Sequence, residues 1–209
     1  MNAKHPQIIL EEKLNTYSHG LGIILAVLGA YFIINSSEIH FKFGLTIYCL
    51  SLILLFTAST LYHAVTNPFK KQQLRILDHI SIYYLIAGTY TPVCLYILED
   101  SNGIPLLYLV WGIAIFGTIL KLFFTGQFEV FSLVLYGIMG WLIVLDLSYL
   151  MEHISSQGLF FLGLGGAFYT IGILFYALRR IPYNHFIWHL FVLGGAISHW
   201  LLINNELSN

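Results

Sequence analysis

Five side chains carry the chemistry open to this sequence: Ser59, His63, Asp78, His185 and His189. Ser59 and His63 stand four positions apart, as do His185 and His189, so each pair shares one face of a helix. Two imidazoles one turn apart can reach a single ion, and a third from another helix completes a set of three nitrogen ligands. Neutral imidazole suits zinc, and three protein ligands with an open fourth position is the pattern of catalytic zinc. Zinc in such a site lowers the pKa of its water to about 7. Asp78 is then placed to orient that water or accept its proton. Ser59, one turn deeper than His63, is placed to hydrogen-bond the water or a substrate carbonyl. An isolated H-x-x-x-H also occurs among interfacial and packing histidines. What favours a site is that the other three residues arrive at a matching depth.

That depth comes from the elements that carry them. Of 209 residues, 58% are hydrophobic and only 9% charged, where a soluble domain carries about 25% charged residues. Such a chain cannot cover itself with polar groups, so lipid must be its solvent. A net charge of -1 leaves no basic surface for nucleic acid. Cys49 and Cys94 both fall inside apolar runs and read as small buried hydrophobes. The start, with Lys4, His5 and Pro6 before a polar stretch, reads as no secretory signal peptide, and the first apolar run as retained.

A spanning helix needs about 20 mostly apolar residues. Seven such runs are predicted, over 18–34, 43–65, 76–98, 104–124, 130–150, 159–178 and 182–203. The expected fold is therefore an all-α integral-membrane bundle of seven transmembrane helices in one domain. Lysine and arginine set its orientation. With the N-terminus cytoplasmic, Lys4, Lys13, Lys70, Lys71, Arg75, Lys121, Arg179 and Arg180 fall inside and only Lys42 outside. The C-terminus is then outside, opposite to the G-protein-coupled receptors. In this arrangement Ser59, His63, Asp78, His185 and His189 all lie near the cytoplasmic mouth. Residues 8–14 are read either as a short helix on the inner membrane surface or as a plain polar lead-in. Pro92 is expected to kink the third span. The glycines Gly137, Gly140, Gly163, Gly165, Gly166, Gly194 and Gly195 are read mainly as sites of close helix packing.

Other polar residues are assigned lesser parts. His19 has the right depth for a supporting partner, but its place at the start of a span reads as interfacial. His79 points about 100° from Asp78 and is read as a neighbour contact. His199 lies about 15 Å along the helix from His189 and cannot share its ion. His40 and His153 fall in outer loops. Asp146 is read as a cap for a neighbour or part of a cavity lining.

The same residues carry a family resemblance. Glu11-Glu12, Asn15 and His19-Gly20 resemble the opening of the bacterial hemolysin III family. So do Ser59-Thr60-Leu61-Tyr62-His63, Leu77-Asp78-His79, Ala87-Gly88-Thr89-Tyr90-Thr91-Pro92, and Pro182-Tyr183 with His185-x-x-x-His189. That family is related to the progestin and adipoQ receptors, within a superfamily that includes alkaline ceramidases. The resemblance implies seven spans, a cytoplasmic N-terminus and zinc held by residues matching His63, His185 and His189, with Ser59 and Asp78 as the accompanying polar pair. It also implies a bacterial plasma (inner) membrane location and a membrane lipid as substrate or ligand. The expected function is a zinc-dependent hydrolase of lipid amides or esters, or a lipid sensor derived from one, acting in membrane homeostasis. The rival expectations are a non-catalytic, metal-stabilised sensor or receptor and a channel-forming cytolysin.

Overall fold

Backbone polar groups in lipid must be satisfied within the chain, and helices achieve this segment by segment. The computed structural model describes residues 6–178 and 180–208, so Lys4 and Arg179 of the charge count lie outside the described residues. Among the described residues there is no strand. The helices are α1 (Pro6–Ser36), α2 (Lys42–Ala64), α3 (Pro68–Pro92), α4 (Gly103–Phe124), α5 (Glu129–Trp141), α6 (Leu147–His153), α7 (Ser156–Ala177) and α8 (Asn184–Leu207). Among the described residues seven stretches are long and apolar enough to cross a membrane, with α5 and α6 forming one of them together.

The helix starts follow from local chemistry. Pro68 opens α3 at a position where its missing N–H is no loss, and the Asn67 side chain accepts from the Lys70 amide (3.1 Å). Ser155 caps α7 by accepting from the Gly158 amide (2.9 Å). Pro92 does disturb the third span: α3 ends there and the chain continues as a π-helical turn, Val93–Ile97. The fifth span has a break with a different cause. The Tyr90 hydroxyl donates to the Gly140 carbonyl (3.1 Å) and accepts from the Ile143 amide (2.8 Å). A side chain inserted into the helical ladder diverts its bonds, and the segment Leu142–Asp146 is 3-10.

The first helix differs from expectation. It starts at Pro6, and residues 8–14 are its first turns rather than a separate surface helix or an unstructured lead-in. Helices α1, α2, α3 and α4 pack in sequence, α8 packs on α7, and α1 packs on α8 to close the arrangement. Tyr48, Phe56, Tyr83 and Leu45 fill the centre. Leu21, Ile24 and Phe32 on α1 and Phe116, Ile119 and Phe123 on α4 face outward, where lipid covers them. Close approach explains only some of the glycines. A Cβ on Gly88 would collide with Ser51 of α2, and one on Gly165 with His199. At Gly137, Gly140, Gly163 and Gly166 a Cβ would meet nothing within 4 Å. For these four the packing reading is wrong, because they border open space between α5, α7 and α8.

Candidate metal centre and cavity

The site is built on the inward face of α1. Glu11, Glu12, Asn15, Ser18 and His19 recur at helical spacing, and Asn15, Ser18 and His19 are buried. This stripe is polar inside and apolar outside, the reverse of a soluble helix. Because α1 packs between α2 and α8, the stripe meets the histidines of both.

On α2, the His63 Nδ1–H donates to Glu12 Oε2 at 3.0 Å, and the Asn15 amide lies 3.5 Å from the same nitrogen. Lys71 Nζ donates to the same Glu12 oxygen at 2.9 Å and to the Tyr62 carbonyl at 3.0 Å. With its proton on Nδ1, His63 keeps the Nε2 lone pair free, and that atom is buried without a hydrogen-bond partner. On α8, His189 is held similarly. The Ser18 hydroxyl donates to the Asn15 carbonyl (3.0 Å), which leaves it an acceptor for His189 Nδ1–H at 3.4 Å. Its Nε2 is then also available.

His185 is set by the start of α8. Tyr183 takes a left-handed conformation (φ 57°) just before the helix, at a cost of order 1–3 kcal/mol for a non-glycine residue. The turn is fixed by Asn184 Nδ2, which donates to the Phe175 carbonyl (3.1 Å), and by Glu11 Oε1, which accepts from the His185 amide (3.2 Å). A carboxylate at a helix N-terminus is favoured by the helix dipole.

The three imidazoles converge. Ring centroids are 5.1 Å apart for His63 and His185, 4.8 Å for His63 and His189, and 4.9 Å for His185 and His189. One ligand nitrogen from each lies within 4.8 Å of the others. Tetrahedral zinc at about 2.0–2.1 Å from each nitrogen spaces them roughly 3.4 Å apart, a gap that small ring rotations close. The donor set and the unpartnered His63 Nε2 fit a metal ion, and each of two ligands gives its other ring nitrogen to an oxygen, as metal-bound histidines do.

Ser59 and Asp78 stand beside this cluster, on the lining of the same cavity as His185 and His189. Both residues are buried. All five residues singled out by spacing are therefore brought to one end of the bundle. His19 joins them, contrary to its interfacial reading. It is 3% exposed, stacks on His189 at 3.7 Å and 14°, and has no partner for either ring nitrogen. The span boundary misled here, since α1 continues beyond it and turns this face inward.

A cavity of about 270 Å³ leads away from the cluster, near the lower end of the roughly 300–1,000 Å³ usual for small-molecule sites. His19, Ser59, Asp78, His185 and His189 line its near end, Leu85, Ile86 and Val144 its wall, and Tyr90 and His199 its far end. The four uncrowded glycines of α5 and α7 border it.

Two further polar groups have structural partners. His79, adjacent to Asp78, has Nδ1 3.6 Å from Glu129 Oε2, and its carbonyl accepts from Tyr136 (2.9 Å). Glu129 also takes Lys121 Nζ (2.8 Å) and Arg75 (3.3 Å), which brings α3, α4 and α5 together. Asp146 accepts from the Ser101 hydroxyl, the Asn102 amide and the Asn102 side chain, at 2.9, 3.1 and 2.9 Å, so it braces the start of α4. Sequence reasoning gave Glu11, Glu12 and Lys71 no chemical role at the site. The signals that could have flagged the α1 stripe are the helical spacing of Glu12, Asn15 and His19 and the place of these residues in the family-like opening.

The family model "Haemolysin-III related" matches residues 7–200. "Hemolysin-3 homolog" of Bacillus subtilis (strain 168) is 39% identical over 199 residues, with 93% of each chain covered. "Hemolysin-3" of Bacillus cereus is 40% identical over 194 residues, covering 91% of this chain and 89% of that protein. The human "Monocyte to macrophage differentiation factor" is 29% identical over 214 residues, covering 97% and 87%. No solved structure matches the chain.

Proposed function

This chain belongs to the Haemolysin-III related family, a multi-pass bacterial membrane protein, and we propose that it is a zinc-dependent hydrolase of lipid amides or esters. The observation that carries the reading is the convergence of His63, His185 and His189 at the mouth of an apolar cavity that Ser59 and Asp78 also line. The lysine and arginine bias supports a cytoplasmic N-terminus, which sets the site just beneath the inner leaflet.

Zinc, when bound by the three imidazoles, supplies a more acidic water and a polarised carbonyl. The chain's own residues do the rest. Glu12 and Ser18 hold His63 and His189 in the tautomers that present Nε2. The apolar wall seats an acyl chain and excludes bulk water from the near end. Asp78 accepts the proton that the attacking water gives up, and returns it to the leaving nitrogen or oxygen as the acyl–heteroatom bond breaks. The Ser59 hydroxyl offers a hydrogen bond to the carbonyl oxygen as negative charge develops there, and keeps its proton. The products are a fatty acid and an amine or alcohol.

A second reading has its own observation. His63 belongs to α2 while His185 and His189 belong to α8, and α1 packs against both helices. A metal there ties two helices together, and lipid packing would alter their arrangement in a sensor without turnover. A cytolytic channel is the third reading, supported by the names of the Bacillus relatives alone. The test uses purified, zinc-loaded protein against lipid amides and esters, with Asp78→Ala beside it. Hydrolysis lost in a variant that keeps its metal supports the enzyme. A metal-loaded wild type inert to every lipid class, with a biological effect that survives Asp78→Ala, supports the structural tie. Single-channel recording in pure lipid tests the third.

A further inference from the structure

His79 is an ionisable residue within a membrane-spanning helix, and such residues are costly there unless they serve a purpose. The proposed hydrolysis does not use it. It follows Asp78 on α3, about 100° around the helix, and both residues line the same cavity. Of its two ring nitrogens only Nδ1 is enclosed without a hydrogen-bond partner. That atom lies 3.6 Å from Glu129 Oε2, just beyond a hydrogen bond. Nε2 is the nitrogen left to the cavity. The Tyr136 hydroxyl donates to the His79 carbonyl at 2.9 Å and steadies the backbone under the ring.

Glu129 leads from the ring to water. It is the first residue of α5, at the metal-cluster end of the bundle, and its side chain is 21% exposed where that of His79 is 9%. Lys121 Nζ donates to its Oε2 (2.8 Å), and Arg75 (3.3 Å) and the Gly126 amide (3.0 Å) donate to its Oε1. His79 therefore joins the polar end of the cavity to a carboxylate that reaches the surface. A neutral imidazole accepts a proton at one nitrogen and releases one from the other.

The proposed hydrolysis leaves a proton to be carried away. Asp78 takes one proton from the attacking water and returns it to the leaving group. The water's second proton remains on the new carboxylic acid and passes to Asp78 as the fatty acid departs as its carboxylate. With an amide substrate, the amine product is the stronger base, so it takes that proton from Asp78 and leaves as an ammonium ion. With an ester, the alcohol product cannot, and Asp78 stays protonated and unable to act as a base. Ester cleavage thus yields a carboxylate, an alcohol and one proton that has to reach water.

We infer that His79 is a proton relay that resets Asp78 after each ester cleavage. The inference rests on the hydrolase reading and adds the route of the released proton. Water at the polar end of the cavity carries the proton from Asp78 to His79 Nε2. The Nδ1 proton passes to Glu129 Oε2 and on to bulk water, and a half-turn of the ring restores the starting tautomer.

The test compares N-oleoylethanolamine with ethylene glycol monooleate, which differ only in the amide nitrogen and the ester oxygen. Product is followed through the first and later turnovers on purified zinc-loaded wild type and His79→Gln. Wild type is expected to cleave the ester at a steady rate. His79→Gln should release about one product per chain at wild-type speed and then slow by about 10²-fold, the usual worth of a positioned proton-transfer group. Its amide cleavage should match wild type throughout. Zinc content checks that the variant is folded, and His79→Asn takes its place if it is not. A merely structural histidine would slow the first turnover with the later ones, and the amide with the ester. That pattern, or a variant with no ester defect, overturns the relay and leaves the hydrolase reading standing, as does a wild type that cleaves the amide alone. Failure of wild type to cleave either lipid overturns the hydrolase reading and the relay together.

Discussion

Removing the Glu12 carboxylate should weaken metal binding although Glu12 is no ligand. In the structure its Oε2 accepts from His63 Nδ1 at 3.0 Å and from Lys71 Nζ at 2.9 Å. Glu12→Ala leaves His63 free to put its proton on Nε2, where it blocks the lone pair that the metal needs. It also leaves Lys71 beside the site without its counter-charge. A hydrogen bond to a charged group contributes about 1.5–3 kcal/mol, and outer-shell partners of metal-bound histidines typically account for 10–100-fold in affinity, or about 1.4–2.7 kcal/mol. The two scales agree, so Glu12→Ala should raise the zinc dissociation constant by roughly 10–100-fold. Glu12→Gln keeps a carbonyl acceptor for Nδ1–H but loses the charge, and neutral hydrogen bonds are about half as strong, so its loss should be smaller. The assay is competition with a chromophoric zinc chelator on purified protein, with helical content checked by circular dichroism. A folded Glu12→Ala variant that binds zinc as tightly as wild type would refute the tautomer argument.

Three other expectations follow from the same geometry. Asp78→Asn should keep zinc and fold but lower any lipid hydrolysis by about 10²–10⁴-fold, the usual contribution of a positioned general base, as read by product release under saturating lipid. Gly163→Leu places a side chain where a Cβ meets nothing, so it should fill the cavity and abolish oleate binding while metal content stays constant. Asp146→Ala removes the acceptor for three hydrogen bonds around Ser101 and Asn102; it should destabilise the protein by about 1–3 kcal/mol, seen as a lower thermal unfolding temperature, with zinc affinity unaffected because the metal cluster is at the other end of the bundle.

The spanning helices were legible because apolar length is a local property and lipid demands it. The convergence of His63, His185 and His189 was legible because i, i+4 spacing and alternating helix direction fix depth without any knowledge of packing. What could not be read depends on contacts between distant segments. Glu12 meets His63 and Lys71 only after α1 packs on α2, and Glu11 reaches the His185 amide only after α8 folds back beside it. His19 looked interfacial since it opens an apolar run, yet the helix begins at Pro6 and carries that residue inward. The 3-10 break in the fifth span is made by Tyr90 of another helix. Gly163 and Gly165 share a type and a run, and only the position of His199 separates the crowded one from the open one.

The central claim is that imidazoles from two helices hold one metal ion. Elemental analysis of purified wild type beside His63→Ala and His189→Ala tests it most directly. The account predicts about one zinc per chain in wild type and strong depletion in both folded variants. A wild type purified without chelators that carries no metal and takes up none on adding zinc, or variants that keep a full complement, would contradict it.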